Sequence, residues 1–490
     1  MKIWVLNPPF LERYSRAQRS PAVTKSGCLY FPMWLAYCVG VLEEAGHDVT
    51  FTDAPARGLD LEHTIGKARS DRPEMIVMDA STPSIVNDLQ VVDELKRVLP
   101  DTFIVLVGTH VTATPDETLQ NGGSVDAICR REYEYTVRDL AAVIDRTSAN
   151  EPDAERLQSI AGLSYRVDAR IVHNPDRPFI EDITELPWVS KVYKKHLRIE
   201  DYFNQNALYP MVTLVASRGC RYRCTFCVYP QTITGRRFRM RDIEDVVDEM
   251  EYIVKEFPQA RSMFFEDDVL TSENKWCREF AEEVLKRGLK LPWTANARSG
   301  IIDYETMRAL RDAGCRQFCV GFESGEQMTL NGMKKGTKLN DTMQFMADAR
   351  KADILVHGCF MVGFPGETAE NIEKTVDFAI ELRPDTAQFY PLMVYPGTEA
   401  YEEYKDKGWI ESKNYRDWVT KEGQHNCVVR NGSLSPTDLV SLCDRARRRF
   451  YLRPRYVSYK LKQMVTHPSE IIRTAKAGKV FFKHLLVGSK

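Results

Sequence analysis

The stretch Ser217-Arg218-Gly219-Cys220-Arg221-Tyr222-Arg223-Cys224-Thr225-Phe226-Cys227 spaces three cysteines as C-x3-C-x2-C. An apolar run at residues 211–215 precedes it and predicts a buried strand, so the thiolates follow a strand end and can point at one spot. Structural zinc and iron–sulfur sites normally use four protein ligands. Three cysteines at this spacing therefore predict an iron–sulfur cluster with one iron left open to a small molecule, and with Cys220, Cys224 and Cys227 as ligands.

Other uses of cysteine explain this spacing less well. A zinc site needs a fourth ligand, and the closest histidine, His196, lies 24 positions before Cys220. Disulfides are not expected in a chain without a secretion signal. Cysteines that only fill an apolar core would not stand beside Gly219 and three arginines. A structural metal-binding module without enzymatic activity stays open as the alternative.

Length and composition bound the other possibilities. The 490 residues suggest two or three domains. Lysine plus arginine (67) nearly balances aspartate plus glutamate (69), so the formal charge of −2 predicts no overall field toward nucleic acid or a membrane. No signal peptide follows Met1, and no apolar run approaches the ~20 residues of a membrane-spanning helix. The 12 cysteines are therefore expected to be reduced, in a cytoplasmic and oxygen-sensitive protein.

Residues 1–150 alternate short β-rich runs with helical patterns, which predicts an α/β domain with a doubly wound parallel sheet. Ligands of such sheets bind beyond the carboxyl ends of the strands. Those ends carry Asn7-Pro8-Pro9, Ser81-Thr82 and residues 108–112. Residues 151–205 are polar and turn-rich with a short hairpin pattern, and we interpret them as a linker.

Residues 206–400 resume the alternation with six strand–helix units, which predicts a partial (β/α)6 barrel with its chemistry at the carboxyl ends of the strands. Polar residues follow four of the strands: Glu266-Asp267-Asp268, Asn296-Ala297-Arg298, residues 321–325 and residues 357–368. Two of these groups have a structural alternative to ligand binding. The acids at 266–268 could cap a helix that begins near Ser272, and Glu367-Thr368 could begin a later helix.

Residues 401–490 are predicted to be a helical, basic region, and Ser435-Pro436 marks the start of one helix. Basic and aromatic residues alternate from Arg445 onward. A solvated helix face is the simplest explanation, and contact with an anionic membrane surface or a phosphate-bearing substrate is the alternative. The last part of the run contains Arg473, Lys476, Lys479, Phe481, Phe482 and Lys483.

With an aromatic residue just before its third cysteine, the motif resembles that of the radical S-adenosylmethionine (SAM) superfamily. The resemblance implies a [4Fe–4S] cluster whose open iron binds the amino and carboxylate groups of SAM. The reduced cluster would split SAM to give a 5′-deoxyadenosyl radical, which takes a hydrogen from the substrate. It also implies these SAM contacts: Phe226, Gly363 and Gly366 near the adenine, Glu266 and Asp267 at the amino group, Arg298 at the carboxylate, and Glu323 and Ser324 at the ribose.

The first domain looks like the cobalamin-binding domain that precedes many radical SAM domains. Asn7, Thr109 and His110 lie in loops that match, whereas Arg131-Glu132-Tyr133-Glu134 stands where many members have Gly-Glu-Gly-Glu. The sequence contains no Asp-x-His-x-x-Gly, so no histidine is expected to reach cobalt from below. Cobalamin is thus a candidate third cofactor, and a domain that keeps the fold without a corrinoid is the alternative.

Over nearly the whole chain, the resemblance is greatest to the hopanoid-biosynthesis HpnJ type, within the group that contains the anaerobic magnesium-protoporphyrin ester cyclase. It implies a radical SAM oxidoreductase that remodels a C–H bond of a polyol, sugar-bearing or isoprenoid natural product. Val228-Tyr229 stands where relatives often have Leu-Trp, which leaves the substrate open. The residues that carry the resemblance are 224–227, Pro230-Gln231-Thr232, 321–325, Lys334-Lys335-Gly336 and 448–451.

Two other enzyme classes stay open. One is a cobalamin-dependent radical SAM methyltransferase, and the other is a radical SAM diol dehydratase acting on an aminoglycoside-like sugar. Bound corrinoid and transfer of a labelled methyl group would distinguish methyl transfer from rearrangement. The implied partners are a small-molecule or lipid-linked substrate and a reducing protein such as a flavodoxin or ferredoxin, with no nucleic acid.

Overall fold

Apolar, β-branched runs form the strands of two large sheets in the computed structural model, which describes residues 1–145, 154–168 and 170–466. The first sheet contains β1 (Lys2–Asn7), β2 (Asp48–Asp53), β3 (Met75–Asp79), β4 (Phe103–Val107), β5 (Ala127–Cys129), β6 (Leu163–Val167) and β7 (Arg170–His173). Its strand order is β2-β1-β3-β4-β5-β6-β7.

The first five strands of this sheet are parallel, and β4 is buried along its whole length. Burial of this kind is expected because helices cover both faces of a parallel sheet. The predicted doubly wound α/β domain is therefore confirmed. Its helices are α1 (Met33–Glu44), α2 (Ala54–Arg57), α3 (Leu61–Asp71), α4 (Ile85–Val98), α5 (Thr109–Ala113), α6 (Pro115–Asn121), α7 (Glu134–Asp145) and α8 (Ala154–Gln158).

The segment interpreted as a linker does more than connect two domains. Its hairpin, β6 and β7, pairs antiparallel with β5 and extends the first sheet by two strands. The helix that follows, α9 (Val189–His196), packs against α1. The sequence showed the hairpin but not its pairing partner, because an edge strand carries no signal for which sheet it joins.

The second sheet has six parallel strands, which confirms the predicted partial barrel. These are β8 (Met211–Leu214), β11 (Ser262–Phe265), β12 (Trp293–Ala297), β13 (Cys315–Glu323), β14 (Leu355–Val362) and β15 (Thr386–Pro391). A separate ribbon joins β9 (Ser217–Arg218) and β10 (Arg239–Met240). The helices are α10 (Val228–Thr232), α11 (Ile243–Glu256), α12 (Asn274–Lys286), α13 (Tyr304–Asp312), α14 (Gln327–Gly332), α15 (Leu339–Lys351) and α16 (Ala369–Leu382).

The C-terminal region adds α17 (Glu399–Asp406), α18 (Pro436–Tyr451) and α19 (Pro454–Thr466). The Ser435 side chain caps α18 at its predicted start. Arg449 on α18 forms an ion pair with Asp377 at 2.6 Å, so this part of the basic run pairs with α16. The predicted basic and aromatic residues beyond 466 lie outside the described residues. None of the helices in the described ranges has the length and apolar character needed to cross a membrane.

The loop of residues 8–32 runs from the carboxyl end of β1 to α1 within the first domain, and it also contacts the second sheet. Arg19 in this loop donates to Glu266, which follows β11 in the second sheet, at 2.7 Å. This loop therefore links the carboxyl ends of the two sheets. Both kinds of sheet bind their ligands at this edge.

Candidate active site

A cavity of about 860 Å³ opens at the carboxyl ends of the second sheet. Cys220, Cys224 and Cys227 lie on its wall, and residues of α18 and α19 line the far part. Residues 18–30 of the first domain's loop form another side. The cavity is thus bounded by the first domain, the barrel and the C-terminal helices together.

The cysteine loop is fixed by its backbone. Gly219 has a φ of +86°, and a Cβ there would lie 2.0 Å from the carbonyl oxygen of Arg237, so only glycine fits. The next amide, of Cys220, donates to the carbonyl of Gly235 at 3.2 Å. The loop therefore returns tightly on itself, which brings its three cysteines to the same cavity.

All three thiols are free, and the surroundings of two of them favour the protonated form. Burial raises the pKa of Cys220, and the carboxylate of Asp268 raises it further. Burial likewise raises the pKa of Cys227, while Arg19 acts in the opposite direction. Because a cluster binds thiolates, its assembly must displace these protons.

The donor set fits a [4Fe–4S] cluster held by the three cysteines. Within the described ranges, no three His, Cys, Asp or Glu side chains converge on a single metal ion. Cys220, Cys224 and Cys227 would hold the cluster, because cysteine thiolates are the usual ligands of iron–sulfur clusters. When bound together, the cluster and SAM supply one-electron cleavage chemistry at this wall.

Two buried carboxylates at the strand ends each leave one oxygen atom without a partner in the described part of the protein. Glu266 binds Arg19 through Oε1, and Glu323 accepts from Lys335 Nζ through Oε1 at 2.8 Å. Oε2 of both residues is buried with no hydrogen-bond partner among the described residues. Such an atom is costly unless a ligand satisfies it. Both glutamates line the cavity, so they fit a ligand that brings ammonium or hydroxyl donors, as SAM does.

Arg298 lies on the same wall as these glutamates. Its guanidinium donates to the backbone oxygen of Lys335 and lies 3.8 Å from the ring centre of Tyr222, in the cysteine loop. The stacked position leaves a fixed cation beside the cysteines, where it can meet a ligand carboxylate.

Asp267 is buried behind the cavity wall. It accepts hydrogen bonds from the backbone N–H of Ala216, at 3.1 Å, and from the hydroxyl of Ser217. Burial raises the pKa of Asp267 to about 7, and these hydrogen bonds oppose the shift. The side chain therefore braces the end of β8 just before the cysteine motif, while its neighbour Asp268 lines the cavity.

Of the other predicted SAM-contacting residues, some line the cavity and others are packed behind its wall. Phe226 lines the cavity and packs edge-to-face on Phe364, with 5.6 Å between ring centres. Ser324 is buried beside Thr375, with 3.2 Å between the hydroxyl oxygens. Gly363 has a φ of +105° and its amide donates to Glu367 at 2.7 Å. Gly366 has a φ of +78°, with open space where a Cβ would lie.

The first-domain residues predicted to contact cobalamin have protein neighbours. Asn7 accepts from Arg16 at 2.9 Å. The ring of His110 lies 3.1 Å from the hydroxyl of Thr82, and burial lowers the pKa of His110 to about 3, so the ring is neutral. Thr109 is half-buried as the first residue of α5.

Protein segments cover these strand ends. Within residues 8–24, Arg16 forms a buried ion pair with Asp88 at 2.6 Å. The ring of Tyr415, in the 3-10 turn Tyr415–Trp418, lies 4.9 Å from the ring of His110. In this conformation both segments pack against the strand ends.

Next to these segments, Tyr133 and Asp79 lie near the boundary between the two domains and offer polar groups to a ligand. We call them the seam residues. The hydroxyl of Tyr133 is buried and has no hydrogen-bond partner within the described part of the chain. Burial raises the pKa of nearby Asp79 to about 7, with Arg16 opposing. These two residues would be the polar groups available to a bound corrinoid, which would supply methyl-transfer chemistry.

Sequence reasoning missed Arg19 and the far wall of the cavity. Arg19 precedes Glu266 by 247 positions, and nothing in an exposed-looking loop indicates which distant carboxylate its arginine will meet. Cys359, which the sequence analysis did not single out, also lines the cavity. The alternation of β14, with His357, Cys359 and Met361 on one face, is the signal that could have revealed it.

Two protein families match the chain. Residues 214–379 match the Radical SAM superfamily, and residues 19–141 match the B12 binding domain. Together they imply the cofactors [4Fe–4S] cluster, SAM and cobalamin. The first match contains the cysteine loop and the strand ends described above, and the second contains Arg19 and the seam residues.

Similar proteins span both domains. The uncharacterized methyltransferase PH0819 of Pyrococcus horikoshii is 27% identical over 91% of this chain and 93% of its own. The anaerobic magnesium-protoporphyrin IX monomethyl ester cyclase of Rubrivivax gelatinosus is 28% identical over 87% of this chain and 75% of its own. The radical SAM methyltransferase TsrM of Kitasatospora setae, in a structure with tryptophan substrate and a SAM analog, aligns with a TM-score of 0.69 and 17% identity over 92% of this chain and 89% of TsrM.

Proposed function

We propose that this radical SAM enzyme, which carries an N-terminal B12 binding domain, is a cobalamin-dependent methyltransferase acting on a small-molecule substrate. The observation that carries the proposal is that the cavity of about 860 Å³ is bounded by both domains. Its wall contains the three cysteines and, through residues 18–30, a loop that leaves the carboxyl end of β1. Methyl transfer that uses two cofactors needs a substrate site reached from both, and this cavity provides one.

The names of similar proteins support methyl transfer. PH0819, named as a methyltransferase, matches nearly the full length of both chains. Neither PH0819 nor the Rubrivivax gelatinosus cyclase is an HpnJ-type protein by name, so these relatives favour methyl transfer over the HpnJ-type interpretation of the sequence. The match to the ester cyclase agrees with the larger group to which the resemblance pointed.

The residues of the chain bind and orient the reactants. Glu266 and Glu323 accept hydrogen bonds from the amino group and ribose of SAM through oxygen atoms that have no protein partner among the described residues. Arg298 offers a cation to its carboxylate, and the Phe226–Phe364 pair gives an apolar surface for the adenine. Electrons come from a reducing protein such as a flavodoxin or ferredoxin.

The test uses the full chain, purified without oxygen and reconstituted with iron, sulfide and hydroxocobalamin. It is incubated with methyl-deuterated SAM, a reductant and trial substrates, among them polyols, sugars and isoprenoids. The proposal expects a stoichiometric corrinoid and a product that carries the labelled methyl group. A product that forms with 5′-deoxyadenosine but without label, on protein that binds no corrinoid, would overturn it.

A second candidate is favoured by the covered strand ends of the first domain. Because residues 8–24 and the turn Tyr415–Trp418 pack on those strand ends, the domain can serve as a support without a corrinoid. The enzyme would then use the 5′-deoxyadenosyl radical to remodel a C–H bond of a polyol, sugar-bearing or isoprenoid compound, including dehydration of a diol. Unlabelled, rearranged product in the same experiment identifies this activity.

A further inference from the structure

The cysteine loop is closed at its base by two arginines. Arg218, in β9, stands two positions before Cys220. Arg239, in β10, lies directly opposite Arg218 in the antiparallel ribbon. Their side chains are 1% and 4% exposed. Two buried guanidinium groups therefore lie at the start and at the end of the segment that carries the three cysteines.

Both arginines are neutralised by the first domain. Arg218 donates to Glu134 at 2.7 Å, and its other terminal nitrogen lies 3.6 Å from Glu132. Arg239 binds both oxygen atoms of Glu132, each at 2.8 Å. The guanidinium of Arg218 also lies 4.4 Å from the ring centre of Tyr37 on α1. Two carboxylates and two guanidinium groups thus form a balanced, buried network across the domain boundary.

The two glutamates lie in the segment Arg131-Glu132-Tyr133-Glu134. This segment stands where many cobalamin-binding domains have Gly-Glu-Gly-Glu. Their carboxylates face the arginines of the cysteine loop instead. Such a network fixes geometry, because planar guanidinium and carboxylate groups bind in a defined orientation. Removal of one partner leaves a buried charge without compensation, so the loop would move to reach water or another partner.

We propose that Glu132 and Glu134 are positioning residues for the iron–sulfur cluster: through Arg218 and Arg239, the first domain sets the place of the cysteine loop. This inference rests on the radical SAM activity and not on methyl transfer, so it holds whichever reaction the enzyme performs. It also gives the first domain a function that does not require a corrinoid.

The test compares Glu134→Gln and Glu132→Gln with the wild-type chain, each in full length and reconstituted without oxygen. The control is Asp126→Asn, which breaks a partly buried ion pair of the same domain, with Lys96 at 2.7 Å, away from the cysteine loop and the cavity. Iron and sulfide content, the electron paramagnetic resonance spectrum of the reduced cluster with and without SAM, and the rate of 5′-deoxyadenosine formation are measured.

In Glu134→Gln we expect less iron and sulfide per chain than in the wild type, because Arg218 loses its 2.7 Å partner and the cysteine loop shifts. We also expect a changed spectrum with SAM and a loss of 5′-deoxyadenosine formation of roughly tenfold or more, the usual cost of removing a support of a metal ligand. Glu134→Asp, which keeps the charge, should recover part of the loss. Asp126→Asn should keep the wild-type iron content and spectrum.

If Glu134→Gln fails to fold, as judged by circular dichroism, Glu132→Gln decides by the same measurements, since Arg218 there keeps its bond to Glu134. Folded glutamine variants with wild-type iron content, spectrum and rate would overturn the proposal. So would equal losses in Asp126→Asn, because the effect would then be a general one of the domain. Failure of methyl transfer alone would not, since none of these measurements depends on it.

Discussion

At the residue scale, the site is marked by buried carboxylates that are only half satisfied. Gly321 makes room for one of them, because a Cβ there would lie 2.1 Å from Oε1 of Glu323. Glu323 itself has a φ of +66°, which is unusual for a side chain that is not glycine. A strained backbone that presents an unpaired oxygen atom to a cavity is the arrangement expected of a ligand-binding position.

We therefore predict that Glu323→Gln weakens SAM binding by about tenfold, because it removes a charged acceptor and leaves Lys335 without its counter-charge. The dissociation constant of SAM for the reconstituted protein is the measurement. Glu373→Gln, which removes a surface carboxylate paired with Arg445, is the matched control and should bind SAM as the wild type does. Equal affinity of Glu323→Gln and the control would contradict this role.

A pH dependence follows from Asp267. The folded protein raises the pKa of this carboxyl to about 7, above its unfolded value near 3.8, so the native state holds the proton more tightly. The stabilisation from this group is complete below pH ~4 and is lost as the pH rises toward 7, on the order of 1.4 kcal/mol per pH unit. Asp267→Asn should flatten this part of the curve of unfolding free energy against pH. Parallel curves for both proteins would contradict it.

At the element scale, the cysteine loop and the strands were predictable because their signals are local. The spacing of the three cysteines, Gly219 before the first, and the apolar run of β8 all lie within 17 residues of the chain, 211–227. The order of the strand-end motifs likewise follows the order of the strands. The direction of Asp267 could not be predicted, because neighbouring side chains at a strand end point to opposite sides.

Gly219 gives a sharp prediction for this element. We expect Gly219→Ala to abolish cluster assembly, because its Cβ would meet the carbonyl oxygen of Arg237 at 2.0 Å and the loop could not close. Gly288→Ala is the control: Gly288 also has a positive φ, +66°, but nothing lies within 4 Å of its Cβ position, so it should cost only about 1 kcal/mol of stability. Iron content after reconstitution separates the two; equal iron in both would refute the steric account.

At the scale of the whole molecule, the two sheets were predictable and their joining was not. Alternation of strands and helices defines each domain by itself, whereas Arg19–Glu266 and Arg218–Glu134 join residues that are 247 and 84 positions apart. A sequence does not indicate which distant carboxylate a given arginine will bind. Yet these contacts make one active-site cavity out of two domains, and they carry both proposals made for the protein.

The most direct test of the whole account is the quantification of iron, sulfide and corrinoid in the full chain after anaerobic reconstitution, beside the variant Cys224→Ala. We predict one [4Fe–4S] cluster and one corrinoid per chain, with the cluster and SAM cleavage lost in Cys224→Ala while the corrinoid remains, since the seam residues Asp79 and Tyr133 are untouched. A cluster that still cleaves SAM in Cys224→Ala would contradict the assigned ligands. A wild-type chain with its cluster but no corrinoid would contradict the proposed methyl transfer.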